Sequence, residues 1–88
     1  MSTIWIVESS SFESREYTFS AAFSTRDKAY DYANRKGLAM AKTMTESGNE
    51  YVTTTITTPT TITVCVHSNT FDDKFSTDRW HCREVSLD

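Results

Sequence analysis

From Tyr51 to Thr70 the chain carries no Asp, Glu, Lys or Arg, and most of that stretch is threonine alternating with Val, Ile and Cys. Period-two alternation marks a strand, and β-branched side chains fit a pleated surface. The chain's one proline, Pro59, falls in the middle. Proline has no N–H to give to a ladder, so it marks a turn and not a strand interior. The stretch therefore predicts a hairpin: Glu50 to Thr57, a turn at Thr58-Pro59-Thr60, then Thr61 to His67. In the first strand Val52 and Ile56, with Thr54 between them, share one face; Tyr51, Thr53, Thr55 and Thr57 share the other. In the second, Ile62, Val64 and Val66 point inward, and Thr61, Thr63, Cys65 and His67 outward. A lone hairpin is marginal in water, so the rest of the chain must cover its inner face.

The remaining segments supply that layer. Ile4 to Ser9 reads as a strand apolar on both faces, which places it inside a sheet. Tyr17, Phe19, Ala21 and Phe23 recur at period two and predict a second strand with one aromatic face. The connection at Phe12 to Glu16 is too short for a helical crossover, so the two strands pair antiparallel. Ser24 is the expected helix N-cap, with Asp27 three residues on and Phe23 as a hydrophobic staple. Ala29, Tyr32, Ala33, Met40, Ala41 and Met44 then form the apolar stripe of a helix whose methionines are core filler. Gly37 either divides the helix or lets it approach the sheet closely; one helix to about Glu46 is expected, stopped by Ser47-Gly48-Asn49. Ser68 to Asp78 reads as a polar loop. Arg79 to Ser86 reads as a last strand, with a bulge at Glu84 turning Val85 and Leu87 inward. The order β-β-α-β-β-β predicts an α+β fold: a single antiparallel sheet with one helix packed across one face. Residues 1–88 make one domain, since 88 residues leave no room for a second core.

Composition narrows the function classes. Aromatics at 12% argue against a disordered chain. Net charge is −3, the wrong sign for an electrostatic grip on phosphates, so direct nucleic-acid binding is not expected. Threonine makes up nine of the twenty residues of the long uncharged stretch, and no membrane span is expected. The start of the chain has neither a basic region nor an apolar run, so no secretory signal is expected. Two cysteines are too few for a disulfide scaffold; a reducing, cytoplasmic setting with both thiols free and packed in strands is the expectation.

Four constellations are candidates for chemistry. Cys65-x-His67 and His81-Cys82 hold metal-ligand types, but adjacent strand residues point to opposite faces. At most three of the four then converge, and no metal or other cofactor is expected. With no phosphate loop, nucleophile elbow or zinc-hydrolase motif, and little room for a pocket, no enzymatic activity is expected. Arg79, His81 and Arg83 alternate with Trp80 and Cys82, which sets three basic groups on one face and Trp80 in the core. Such a row reads as a contact for an anion or an acidic partner, or as a charged edge strand that discourages sheet-to-sheet aggregation. Tyr51, Thr53, Thr55, Thr57, Thr61 and Thr63 form a candidate partner-binding patch of hydroxyls and methyls on the hairpin. Tyr51 serves there as its aromatic anchor, while Trp5 and Trp80 are expected in the core.

Ile4-Trp5-Ile6-Val7, then Ala22-Phe23-Ser24-Thr25, Asp27-Lys28-Ala29 and Tyr32-Ala33, and finally Leu87-Asp88, resemble small uncharacterised accessory proteins of bacteriophages. The resemblance covers residues 3 to 35 and the C-terminus. It implies a phage protein acting in the cytoplasm of a bacterial host. Such a protein inhibits or redirects a host complex, for example a CRISPR-Cas defence assembly, by steric occlusion. The second expectation is a structural, self-assembling module such as a homodimer through sheet edges. The third is a small anion or nucleotide binder through the last strand.

Overall fold

A computed structural model describes residues 2–11, 16–46, 50–68 and 78–87. Its elements are β1 (Thr3–Ser11), β2 (Thr18–Phe23), α1 (Arg26–Thr45), β3 (Tyr51–Thr57), β4 (Thr61–Ser68) and β5 (Asp78–Ser86). The strands make one five-stranded sheet in the order β2-β1-β5-β4-β3, every neighbouring pair antiparallel. This is the expected α+β architecture, and β1 is interior as its two apolar faces implied. The last strand enters between the β1–β2 and β3–β4 hairpins and becomes the middle of the sheet. Phe12 to Arg15, Ser47-Gly48-Asn49 and most of the segment from Ser68 to Asp78 lie outside the described residues.

Helix α1 is continuous through Gly37 and buries Ala29, Ala33, Gly37 and Ala41 against the sheet. Small residues at every fourth position make one ridge, so the backbone can lie close to the strands. Gly37 shows how close: a Cβ added there would stand 2.7 Å from Cγ1 of Val64 and 3.4 Å from Cγ2 of Thr53. Bulk comes from the sheet, where Trp5, Val7, Ile62, Val64, Val66, Trp80 and Cys82 fill the core. Tyr32, Met40 and Met44 close its rim. The N-cap is Thr25 and not Ser24; its backbone is extended and its hydroxyl accepts the Lys28 N–H at 3.3 Å. A helix starting at Arg26 brings Ala29 onto the buried ridge one turn in. Asp27 still sits in the first turn, at the positive end of the helix dipole.

Three face assignments differ from the sequence pattern. In β3, Tyr51, Thr53, Thr55 and Thr57 stand on the helix side, and Val52, Thr54 and Ile56 on the open side. The register pairs Thr57 with Ile62, Thr55 with Val64 and Thr53 with Val66. The turn dictates this: Thr58 N–H donates to Thr61 O at 2.9 Å, leaving Pro59 and Thr60 as the two-residue loop. Closing on that pair matches odd residues of β3 to even residues of β4; a slip of one would reverse both faces. In β2, the extra residue is Ser20, because Val7 pairs with Ala21 while Glu8 pairs with Phe19. This bulge splits the aromatic run, turning Ala21 and Phe23 toward the helix and Tyr17 and Phe19 to the open side. The Ser20 hydroxyl meets Tyr32 Oη at 2.7 Å. Finally, β5 has no bulge at Glu84. Its register with β1 is unbroken from Asp78 to Ser86, so Val85 lies opposite Ile4 on the open face, and Leu87 is exposed.

Candidate functional site: the open face of the sheet

With α1 on one side, the other side of the sheet is uncovered among the described residues. The register resolves it into rows that cross the strands. One row runs Phe19, Glu8, His81, Thr63, Ile56 from β2 to β3. The next runs Ala22, Ile6, Arg83, Thr61. On the other flank lie Ser10, Arg79, Cys65 and Thr54. The margins are apolar: Phe19 is 63% exposed and Ile56 57%. The middle is polar and centred on β5.

The expected row of Arg79, His81 and Arg83 is on one face, with Trp80 8% exposed in the core behind it. Arg83 Nε donates to Glu8 Oε1 at 2.6 Å. Thr63 Oγ1 lies 2.8 Å from His81 Nδ1, and the Tyr17 ring stands 5.7 Å from the imidazole between centroids. His81 is thereby fixed from two sides. Thr54 Oγ1 meets His67 Nε2 at 2.6 Å further along. Arg79 is exposed and has no ion-pair partner among the described residues. Glu8 lies directly across from His81 on this face, and exposed Glu50 precedes β3 in the same alternation as Val52 and Thr54. On this face of a chain of net charge −3, Arg83 is neutralised by Glu8 and Arg79 is left as an exposed cation.

The register divides the hydroxyl patch. Thr61 and Thr63 lie on the open face, while Thr53, Thr55 and Thr57 lie on the helix side, so the five do not form one surface. Tyr51 is half-buried against the core, and its N–H donates to Thr45 Oγ1 at 2.9 Å. Cys65 and Cys82 are free, buried, and on opposite faces of the sheet. Burial pushes the Cys82 thiol from 9.0 up to about 11, and its S–H donates to Ala29 O at 3.6 Å. Among the described residues no three His, Cys, Asp or Glu side chains gather to hold a metal ion. No described helix is long and apolar enough to cross a membrane.

The Thr63–His81 contact pairs a hydroxyl with an imidazole on the open side of the sheet. A depression of about 320 Å³ lies at the flank of the sheet, where Ser10 of the open face joins Ser9, Glu16, Thr18, Met40, Asp78 and Trp80 in lining it. The row is not a chelate for one small anion. Arg79 and Arg83 are four strand positions apart, about 13 Å at the usual rise, and Glu8 already holds Arg83. Glu8, Tyr17, Phe19 and Ile56 are members of this face that the sequence pattern assigned to no binding site. The one signal for Glu8 was its place in β1's alternation with Ile4 and Ile6. Compared with family models, curated proteins and solved structures, the chain has no match in any of the three.

Proposed function

We propose that this protein is a non-enzymatic binding module that docks the open face of its sheet onto an acidic patch of another protein. The observation that carries the reading is the position of β5. A charged row on an edge strand is explained by protection against aggregation. Here the row is on the central strand, where that explanation does not apply. Arg79, His81 and Arg83 stand in the middle of a broad face rimmed by exposed Phe19 and Tyr17 on one side and Ile56 on the other. Tyrosine, phenylalanine and arginine are enriched at protein–protein interfaces, and this face carries all three. Covering a cation without supplying a counter-charge is costly, so the partner must bring carboxylates. The phage resemblance adds a proposed setting: a host complex in the bacterial cytoplasm, blocked by occlusion.

The test is comparative capture from bacterial lysate. Wild type, Arg79→Glu/Arg83→Glu, Tyr17→Ala/Phe19→Ala and a helix-surface control, Thr43→Ala, are used side by side. One stoichiometric partner kept by wild type and control and lost by both open-face variants is the expected result. A partner retained by both open-face variants overturns the reading.

A further inference from the structure

The edges of this sheet are less guarded than its centre. Neither edge strand, β2 nor β3, contains a charged residue. In β2 the bulge at Ser20 breaks the ladder direction, which is one way to blunt an edge. Strand β3 has no such device: Tyr51–Thr57 is free of charge and proline and pairs with β4 without a register shift.

The direction of its free backbone groups follows from two contacts. Thr58 N–H points toward β4, to Thr61 O, whereas Tyr51 N–H turns to the Thr45 side chain. Backbone groups alternate along an antiparallel strand. Hence the even residues of β3 bond to β4, and Thr53, Thr55 and Thr57 turn their N–H and C=O outward. Thr45 occupies the Tyr51 end and its own hydroxyl donates to Ala41 O at 2.7 Å, so that end is finished. The remaining triplet is centred on Thr55.

Both layers beside this edge expose an apolar side chain. On the open face it is Ile56. In the helix layer it is Leu38, 52% exposed. Leu38 lies seven residues before Thr45, within roughly 20° of the same helix flank. Thr45 touches β3 at Tyr51, so this flank lies over the β3 edge.

We infer that β3 is a self-pairing edge whose occupant is β3 of a second copy of this chain, joined antiparallel about a two-fold axis at Thr55. This goes beyond the open-face reading and does not depend on it. In that register Thr55 faces the partner's Thr55 and Thr53 faces the partner's Thr57, so every outward N–H of the triplet meets an outward carbonyl. Thr–Thr pairs are favourable across antiparallel strands, and no like charges are brought together along β3. Ile56 lies opposite the partner's Thr54, and both helices fall on the same side of a ten-stranded sheet. A self-complementary patch closes as a dimer and does not propagate, because each copy uses its β3 once.

The test is sedimentation velocity of the intact chain from micromolar to millimolar concentration, with amide hydrogen exchange followed residue by residue. Wild type should pass from monomer to dimer mass, with the amides of Thr53, Thr55 and Thr57 slowing as dimer forms. Thr55→Lys and Thr55→Pro should both stay monomeric with an unchanged circular dichroism spectrum. The proline removes an outward N–H and no bond to β4. A wild type monomeric throughout overturns the inference and leaves the edge to a strand from some other protein. So does a dimer in which those three amides stay unprotected, or one that folded Thr55→Lys leaves intact.

Discussion

Replacing Gly37 by alanine sets two opposing terms against each other, and the structure says which wins. In an exposed helix interior Gly→Ala stabilises by about 1 kcal/mol, because glycine loses the most backbone freedom on folding. Gly37, however, is buried, and the new methyl would lie 2.7 Å from Cγ1 of Val64. Val64 is fully buried, β-branched and opposite Trp80, so it has no rotamer into which to retreat. The helix must lift from the sheet instead. Overpacking of this kind costs about 1–3 kcal/mol, which outweighs the propensity gain and leaves a net loss of about 1 kcal/mol. Removing the obstacle should reverse the sign. Val64→Ala costs about 2 kcal/mol by itself, from two lost methyls and the cavity they leave. In that background Gly37→Ala should gain up to about 1 kcal/mol, a coupling of about 2 kcal/mol. Urea unfolding of the four chains, followed through the fluorescence of buried Trp5 and Trp80, measures the cycle. An equal effect of Gly37→Ala in both backgrounds, within about 0.5 kcal/mol, would refute the argument that the helix rests on Val64 through the glycine.

Two further outcomes follow from local geometry. Thr25→Ala should destabilise by about 1 kcal/mol in the same assay and Ser24→Ala by less than half of that, because the Lys28 N–H bonds to Thr25; equal losses would contradict the cap. The Cys82 thiol holds its proton to about 11 when folded, against 9.0 otherwise, so below pH 9 both states are protonated and stability is unaffected. As pH rises from 9 to 11 the unfolded chain ionises first, and stability should fall by up to roughly 2–3 kcal/mol more than in Cys82→Ala. Parallel pH slopes for the two proteins would show that the thiol ionises freely in the fold.

What the sequence made legible was the identity of the elements. The period-two runs, the helix stripe and Pro59 set six elements within a residue or two of their observed ends, because each pattern depends only on neighbours along the chain. What stayed hidden depended on one-residue offsets or on distant pairing. Tyr17, Phe19, Ala21 and Phe23 are evenly spaced in sequence, and nothing local reveals that Ser20 is bulged out to reach Tyr32. The faces of β3 turned on whether the hairpin closes at Thr58 and Thr61, a choice that decides where every threonine points. The basic row was visible as an alternation. Its meaning was not, because only the strand order shows that β5 is central.

That order has a consequence for how the two proposed surfaces combine. The insertion of β5 between the hairpins leaves the uncharged strands outside and gathers the arginines inside, the reverse of the usual protection of a sheet. The open face and the β3 edge are therefore neighbouring features of one arrangement that meet at Ile56, while Arg79, His81, Arg83, Tyr17 and Phe19 lie away from that edge. Joined through β3, two copies would carry their β5 rows five strand spacings apart, about 24 Å. Twist of roughly 20–25° per strand accumulates over those five steps to more than a right angle. The two basic rows would then look in different directions, and no single flat acidic surface could cover both. Pairing of the edges thus leaves each open face free to take its own partner, which favours two partners per dimer over one partner bridging it.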